Sequence, residues 1–375
     1  MKKQIWILVL IIAVIIVGLI IFVPRSKNLA DKELIKVGVV VALSGDIATY
    51  GEGMKNAVLM AIDDSGAKDK IEVIIEDDKG CNISDDVSIV QKFINIDKVK
   101  AIIGPMCSSA TLSILPITEQ NKIVLITPMA TSKAITAQGK FVFRTMASDA
   151  EKSTAIARFA YNKDYRKAAL IYNIANDSFI QQREDAKEVF TELGGEVIIE
   201  ESFKTKDVDF RTHLTKIKNS GADVILVGGF PTETGLILKQ AKELGLNLQF
   251  MSTDATVEGK ELIDVGGIAT EGLFFPFSET PANKENQDFI NTYKNRFGKE
   301  PPTYGCYESY DAAMLLFKAL MKGNKTAEDI RDNLYKVGQN YYGASGVITF
   351  DENGDVKKPM LIKTIKNGQF VPYEE

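Results

Sequence analysis

The chain has 375 residues, of which 45% are hydrophobic and 25% charged, with 28 Gly, 11 Pro and a formal net charge of −5. That composition excludes collagen, a disordered tail and a polytopic membrane protein, and the acidic balance without a basic run argues against a large nucleic-acid surface. A single histidine, His213, excludes any His-rich metal site, and three cysteines allow one disulfide and one spare thiol.

Residues 5–23 are nineteen consecutive uncharged, almost wholly apolar residues, preceded by Lys2 and Lys3 and followed by Pro24, Arg25 and Lys27. As a helix they would rise about 28 Å, close to the hydrocarbon thickness of a bilayer. The run is long for a secretory signal, and Pro24 and Ser26 make a poor cleavage pair. We read residues 5–23 as an uncleaved N-terminal membrane-spanning helix, with a cleaved signal as the alternative. Residues 1–34 are then anchor and linker, and the large domain lies outside the membrane.

From residue 35 onward, short β-branched runs alternate with helical stretches. Strands are expected at 35–43, 71–78, 101–105, 122–128 and 141–146, with helices at 51–64, 84–97 and 108–119. The rhythm restarts after 148. Helices are expected at 149–162, 179–193, 209–219 and 232–244, with strands at 168–173, 196–203, 223–230, 249–253 and 273–278. This alternation predicts an α/β fold of two similar doubly wound lobes with parallel sheets. The last third breaks the beat: helices at 285–297, 307–322 and 326–337 have almost no strand between them. A strand at 346–350 and a hairpin over 360–371 follow, the latter with Asn367-Gly368 suited to a type I′ turn. Such orphaned helices suggest a chain that crosses back to complete an earlier lobe.

Ligands of parallel sheets bind at the carboxyl ends of the strands. The segments there are rich in Ser, Thr and Gly with a few acids and aromatics. They contain no nucleophile with base and orienting group, no GxGxxG after the first strand and no phosphate-loop lysine. His213 falls inside an amphipathic helix and reads as a surface residue. The chain therefore reads as a binding protein rather than an enzyme, with no cofactor and no metal. Helix N-termini with Ser and Thr hydroxyls can hold a carboxylate, and an acid with aromatic faces can hold an ammonium. Together they suit a zwitterionic amino acid.

The strings SGDIATYGEG (44–53), DDKGCN (77–82), IIGPMCSSAT (102–111), ITPMAT (126–131), VGGFPTETG (227–235) and QFMSTD (249–254) resemble the leucine/isoleucine/valine-binding proteins of ABC uptake systems. These are type I periplasmic-binding-protein-like receptors, and the resemblance runs from about residue 35 to 373. It implies two lobes joined by three crossovers: 35–148 plus 279–343 as the first, 149–278 plus 344–375 as the second. It implies Ser108 as a carboxylate ligand and Thr131 as a contact to both carboxylate and ammonium. Met129 and Ala130 would line the pocket, Met129 standing where Ala or Gly is usual. Tyr50 would lie beside the ligand side chain, with Tyr304 or Tyr307 as a further wall. Phe230 stands for a tyrosine, Ser178 for a pocket aromatic, and Asp254 for the acid that pairs with the ammonium. Cys81 and Cys107 match the family disulfide, leaving Cys306 unpaired, and a disulfide supports an extracytoplasmic location. The expected function is delivery of an amino acid to ABC permease subunits by lobe closure. The alternatives are a ligand-sensing ectodomain of a signalling complex, or the same fold binding an amide, a urea or an aromatic acid.

Overall fold

The computed structural model describes residues 34–45, 47–254, 257–278, 283–303, 305–323 and 326–374. The membrane-spanning expectation for residues 5–23 and the position of Tyr304 lie outside them. Among the described residues, no helix is long and apolar enough to cross a membrane.

The first half builds a five-stranded sheet from β1 (Ile35–Val41), β2 (Ile71–Asp77), β3 (Ala101–Ile103), β4 (Val124–Thr127) and β5 (Val142–Arg144). Its order is β2-β1-β3-β4-β5, and every pairing is parallel. Both faces are covered, so the strands are apolar at successive positions rather than alternating. On one face Val40, Ile102 and Leu125 pack with Val90, Phe93 and Ile114. These come from α2 (Ile83–Lys92), the turn after it, and α3 (Ser108–Gln120). On the other face Val39, Ile103 and Ile126 meet Met54 and Val58 of α1 (Ala48–Asp64). They also meet a long run from α10 (Gly305–Leu320), which includes Leu315 and Leu316. α11 (Ala327–Val337) adds Ile330 and Leu334 to the same core. The helices that had no strand partners in the sequence therefore return to the first sheet.

The second sheet has seven strands: β6 (Lys167–Asn173), β7 (Glu196–Phe203), β8 (Val224–Gly228), β9 (Gln249–Ser252), β10 (Phe274–Ser278), β13 (Met360–Lys366) and β14 (Gln369–Pro372). Its order is β14-β13-β10-β9-β8-β6-β7, with β13 antiparallel to β10 and β14 antiparallel to β13. The two sheets are thus less alike than the rhythm predicted, because the C-terminal hairpin adds an antiparallel edge. That hairpin turns at Asn367 and Gly368, both at positive φ as a type I′ turn requires. α4 (Asp149–Asn162) and α5 (Asp177–Glu192) cover one face of this sheet. α6 (Arg211–Lys218), α7 (Pro231–Glu243) and α8 (Lys260–Gly266) cover the other. α9 (Lys284–Phe297) packs beside α1 and α10 through Phe289 and Tyr293.

The chain enters the second sheet for the last time later than the expected boundary at 344. β11 (Tyr341–Gly343) and β12 (Gly346–Ile348) form a small antiparallel pair, and Ile348, Phe350 and Val356 belong to the first sheet's core. The Phe350 ring meets Phe143 edge-on at 5.1 Å. Burying these apolar side chains holds the segment on the first half until β13 begins at Met360.

Candidate functional site

Cys81 and Cys107 are joined by a disulfide with Cα atoms 6.0 Å apart. β2 and β3, which precede them, are consecutive in the chain but flank β1 in the sheet. The bridge therefore ties two loops across the carboxyl end of β1, at the reversal of strand order where open α/β sheets bind ligands. α1 approaches the same end so closely that a Cβ on Gly51 would lie 1.9 Å from the Ala42 carbonyl oxygen.

Ser108 is the first residue of α3. Its Oγ accepts hydrogen bonds from the backbone N–H groups of Thr131 (3.2 Å) and Ser132 (3.1 Å). The Thr131 hydroxyl donates to Asp149 Oδ2 at 2.9 Å, and the Ser178 hydroxyl donates to the same oxygen at 2.9 Å. Gln182, one helical turn beyond Ser178 on α5, donates from Nε2 to Ser178 Oγ (3.2 Å) and to Asp254 Oδ2 (2.5 Å). Thr253 Oγ1 completes the Gln182 amide by donating to Oε1 at 3.0 Å. A continuous polar chain thus runs from Ser108 on the first half to Asp254 beyond β9 on the second. Asp149, Gln182 and Asp254 are all buried.

Lys152 stands at the middle of this chain. Its ammonium lies 3.0 Å from Asp149 Oδ1 and 3.7 Å from Asp254 Oδ2. Burial by itself would raise the Asp149 carboxyl. The adjacent Lys152 charge and hydrogen bond, with the Ser178 and Thr131 hydroxyls, outweigh that and hold it below the ordinary carboxylate range. Nearby, the Lys133 ammonium pairs with the buried Asp185 of α5, a second charged tie between the halves.

Of the residues expected at the site, Ser108, Thr131, Ser178 and Asp254 are brought into one network. Phe230 lies beside it: its ring packs edge-on against Phe179, the neighbour of Ser178, at 5.1 Å and remains partly exposed. Ala130 is buried, with its N–H donating to Thr127 Oγ1. Tyr50 is exposed early in α1. Met129 turns its thioether toward α10, where a Cβ on Gly305 would meet its sulfur at 2.5 Å; its bulk fills that junction. Tyr307 packs edge-on against Phe289 at 5.3 Å, within the small core shared with Ala57 and Met60. That placement makes it a structural neighbour of α1 and α9.

Asp149, Lys152 and Gln182 were not anticipated. Gln182 is four residues after Ser178 and so shares its helical face. Lys152 lies near a helix N-terminus, where the macrodipole favours acids, and that misplaced cation is the signal a reader of the sequence could have used.

Two doubly wound sheets with a polar junction at their carboxyl ends define a two-lobed solute-binding protein. Residues 34–369 match the family model described as periplasmic binding protein, and the chain belongs to that family. It is 28% identical over 342 residues to the leucine-, isoleucine-, valine-, threonine- and alanine-binding protein of Pseudomonas aeruginosa, covering 87% of this chain and 88% of that one. A leucine-binding protein from Thermotoga maritima superposes with a TM-score of 0.73 at 30% identity, over 91% of this chain and 98% of that chain. A solute-binding protein of an ABC transporter from Rhodopseudomonas palustris, solved with 3,4-dihydroxybenzoic acid, superposes with a TM-score of 0.71 at 26% identity. That match covers 91% of this chain and 96% of the other.

Proposed function

We propose that the protein is an extracytoplasmic receptor that closes its two lobes on a small amino acid and presents it to an ABC permease. In this reading the lobes are the two sheets with their helices, and residues 5–23 tether them to the membrane. What supports the reading is the polar chain from Ser108 to Asp254, with the N-terminus of α3 and two hydroxyls at one end and a buried acid at the other. The N-terminus of α3, with Ser108 and Thr131, receives the ligand carboxylate. Asp254 receives the ammonium, with Phe230 and Phe179 as the adjoining aromatic wall. Closure follows from contact with both lobes, since only differential affinity for the closed state shifts the equilibrium. The names of the curated relative and of the Thermotoga neighbour favour a branched-chain amino acid.

Calorimetric titration of the purified chain with each standard amino acid tests this. Binding of at least one, weakened by roughly 2–5 kcal/mol in Asp254→Ala, is the expected result. No heat from any of them rejects the amino-acid assignment, and an unchanged affinity in the variant removes Asp254 from the site. The Rhodopseudomonas neighbour favours a second reading, a simple aromatic carboxylate; 3,4-dihydroxybenzoate in the same titration separates the two.

A further inference from the structure

The hydroxyl groups at the junction have fixed directions, because a hydroxyl carries one proton and two lone pairs. Ser108 Oγ accepts from the N–H groups of Thr131 and Ser132, which occupies both of its lone pairs. Among the described residues its own proton has no acceptor, so Ser108 faces a ligand as a donor. Thr131 and Ser178 are the reverse case. Each gives its only hydroxyl proton to Asp149 Oδ2 at 2.9 Å, and an ionised carboxylate can only accept. Burial alone would raise the Asp149 carboxyl, but the Lys152 ammonium and these hydroxyls hold it below the ordinary carboxylate range, so it is ionised at neutral pH. Thr131 Oγ1 is left with lone pairs, and Ser178 Oγ keeps one after accepting from Gln182 Nε2. Thr131 and Ser178 are half-buried, while Asp149 and Gln182 behind them are buried.

We infer that Asp149 is a positioning residue for ligand selection: by drawing both hydroxyl protons to itself it leaves Thr131 and Ser178 as acceptors, which suit the ammonium of an amino acid and repel the keto oxygen of the matching 2-oxo acid. The inference rests on the amino-acid reading above and narrows it, since only the Ser108 hydroxyl then has a proton for the ligand carboxylate. An ammonium brings N–H donors to the waiting lone pairs. A keto oxygen sets lone pairs against lone pairs and leaves the acceptors unmatched, and a site built for a donor rejects an analogue that lacks one. Asp149→Asn reverses the arrangement. The Lys152 ammonium, 3.0 Å from Oδ1, keeps the amide oxygen on its side, which puts Nδ2 where Oδ2 stood. Nδ2 then donates one proton to each hydroxyl oxygen, and the hydroxyl protons turn toward the ligand.

The test titrates the purified chain calorimetrically with leucine, isoleucine and valine, each against its own 2-oxo acid. The wild type is expected to favour the amino acid; a 2-oxo acid bound as tightly as its amino acid overturns the inference before any variant is made. In Asp149→Asn the amino-acid-to-oxo-acid affinity ratio is expected to fall by about tenfold. Losing a carboxylate charge would lower the same ratio directly, so the substitution is repeated in a Thr131→Val, Ser178→Ala background, where no hydroxyl is left to turn. There the substitution should move the ratio by no more than about twofold. An equal fall in both backgrounds shows direct action of the charge and overturns the inference, as does an unchanged ratio in Asp149→Asn. Should Asp149→Asn fail to fold, the Thr131→Val, Ser178→Ala chain decides by itself: its ratio should fall below that of the wild type, and an unchanged ratio overturns the inference. Wild-type binding of none of the amino acids is a separate result, which rejects the amino-acid reading and the inference with it.

Discussion

Asp86, on α2, is fully buried, and among the described residues neither of its carboxylate oxygens has a hydrogen-bond partner. Asp78 lies in the turn just before α2, also fully buried, with one oxygen satisfied by the N–H groups of Gly80 and Cys81 and the other unpartnered. Burial, then the charges of Asp78 and Asp85, push the Asp86 carboxyl up to about 7. The folded state therefore holds a proton that the unfolded chain gives up near pH 4. The contribution of Asp86 to stability is greatest below the unfolded pKa and declines as pH rises from about 4 to about 7, by up to roughly 4 kcal/mol for three pK units. Asp86→Asn imitates the protonated acid. Its thermal midpoint should rise by several degrees at pH 8 and change little at pH 4, as read by calorimetric scans at the two pH values. Equal shifts at both would mean that Asp86 is not the titrating group.

At the scale of elements, the disulfide and the return segment show what the pattern of residues reveals and what it hides. The apolar runs Val37–Val41, Ile102–Ile103 and Leu226–Val227 announce buried strands because both faces of a parallel sheet are covered. Pairing between strands is less legible: β2 and β3 are neighbours in the chain, yet β1 lies between them. The return point was hidden for a similar reason, since Ile348, Phe350 and Val356 are as apolar as any strand entry and either core could have accepted them. Lys152 and Gln182 were hidden because polar residues on a helix ordinarily mark its solvent face. The disulfide closes a loop with a sequence separation of 26, so its loss should destabilise the chain by roughly 3–4 kcal/mol through unfolded-state entropy. Replacing Cys81 and Cys107 together by Ser should shift the urea midpoint accordingly. A shift of under about 1 kcal/mol would show that the loop ends are held independently of the bridge.

Over the whole molecule, two buried ionic clusters tie the passages between the halves. Arg144, at the end of β5 and fully buried, donates to Asp355 at 2.5 and 2.6 Å and to the Ser132 carbonyl at 2.9 Å. It thereby binds the first passage to the last. Lys358, just before β13, donates to both oxygens of Glu308 on α10 at 2.6 and 2.7 Å and to the Ser345 carbonyl and hydroxyl. Ser345 in turn donates from N and Oγ to Asp311. Burial pushes Glu308 up to about 7 in spite of Lys358. Removing the lysine leaves that carboxyl without its cation in a place solvent does not reach. Lys358→Met should therefore destabilise the chain by about 3–5 kcal/mol at pH 8. The loss should shrink at pH 5.5, because Glu308 then takes up a proton and no longer needs the ammonium. In the double variant Glu308→Gln with Lys358→Met, most of the stability should return at both pH values, since a buried pair replaced as a unit leaves no lone charge. A denaturation cycle over the two single variants and the double one measures this. Additive losses would mean that the two side chains do not act as a pair.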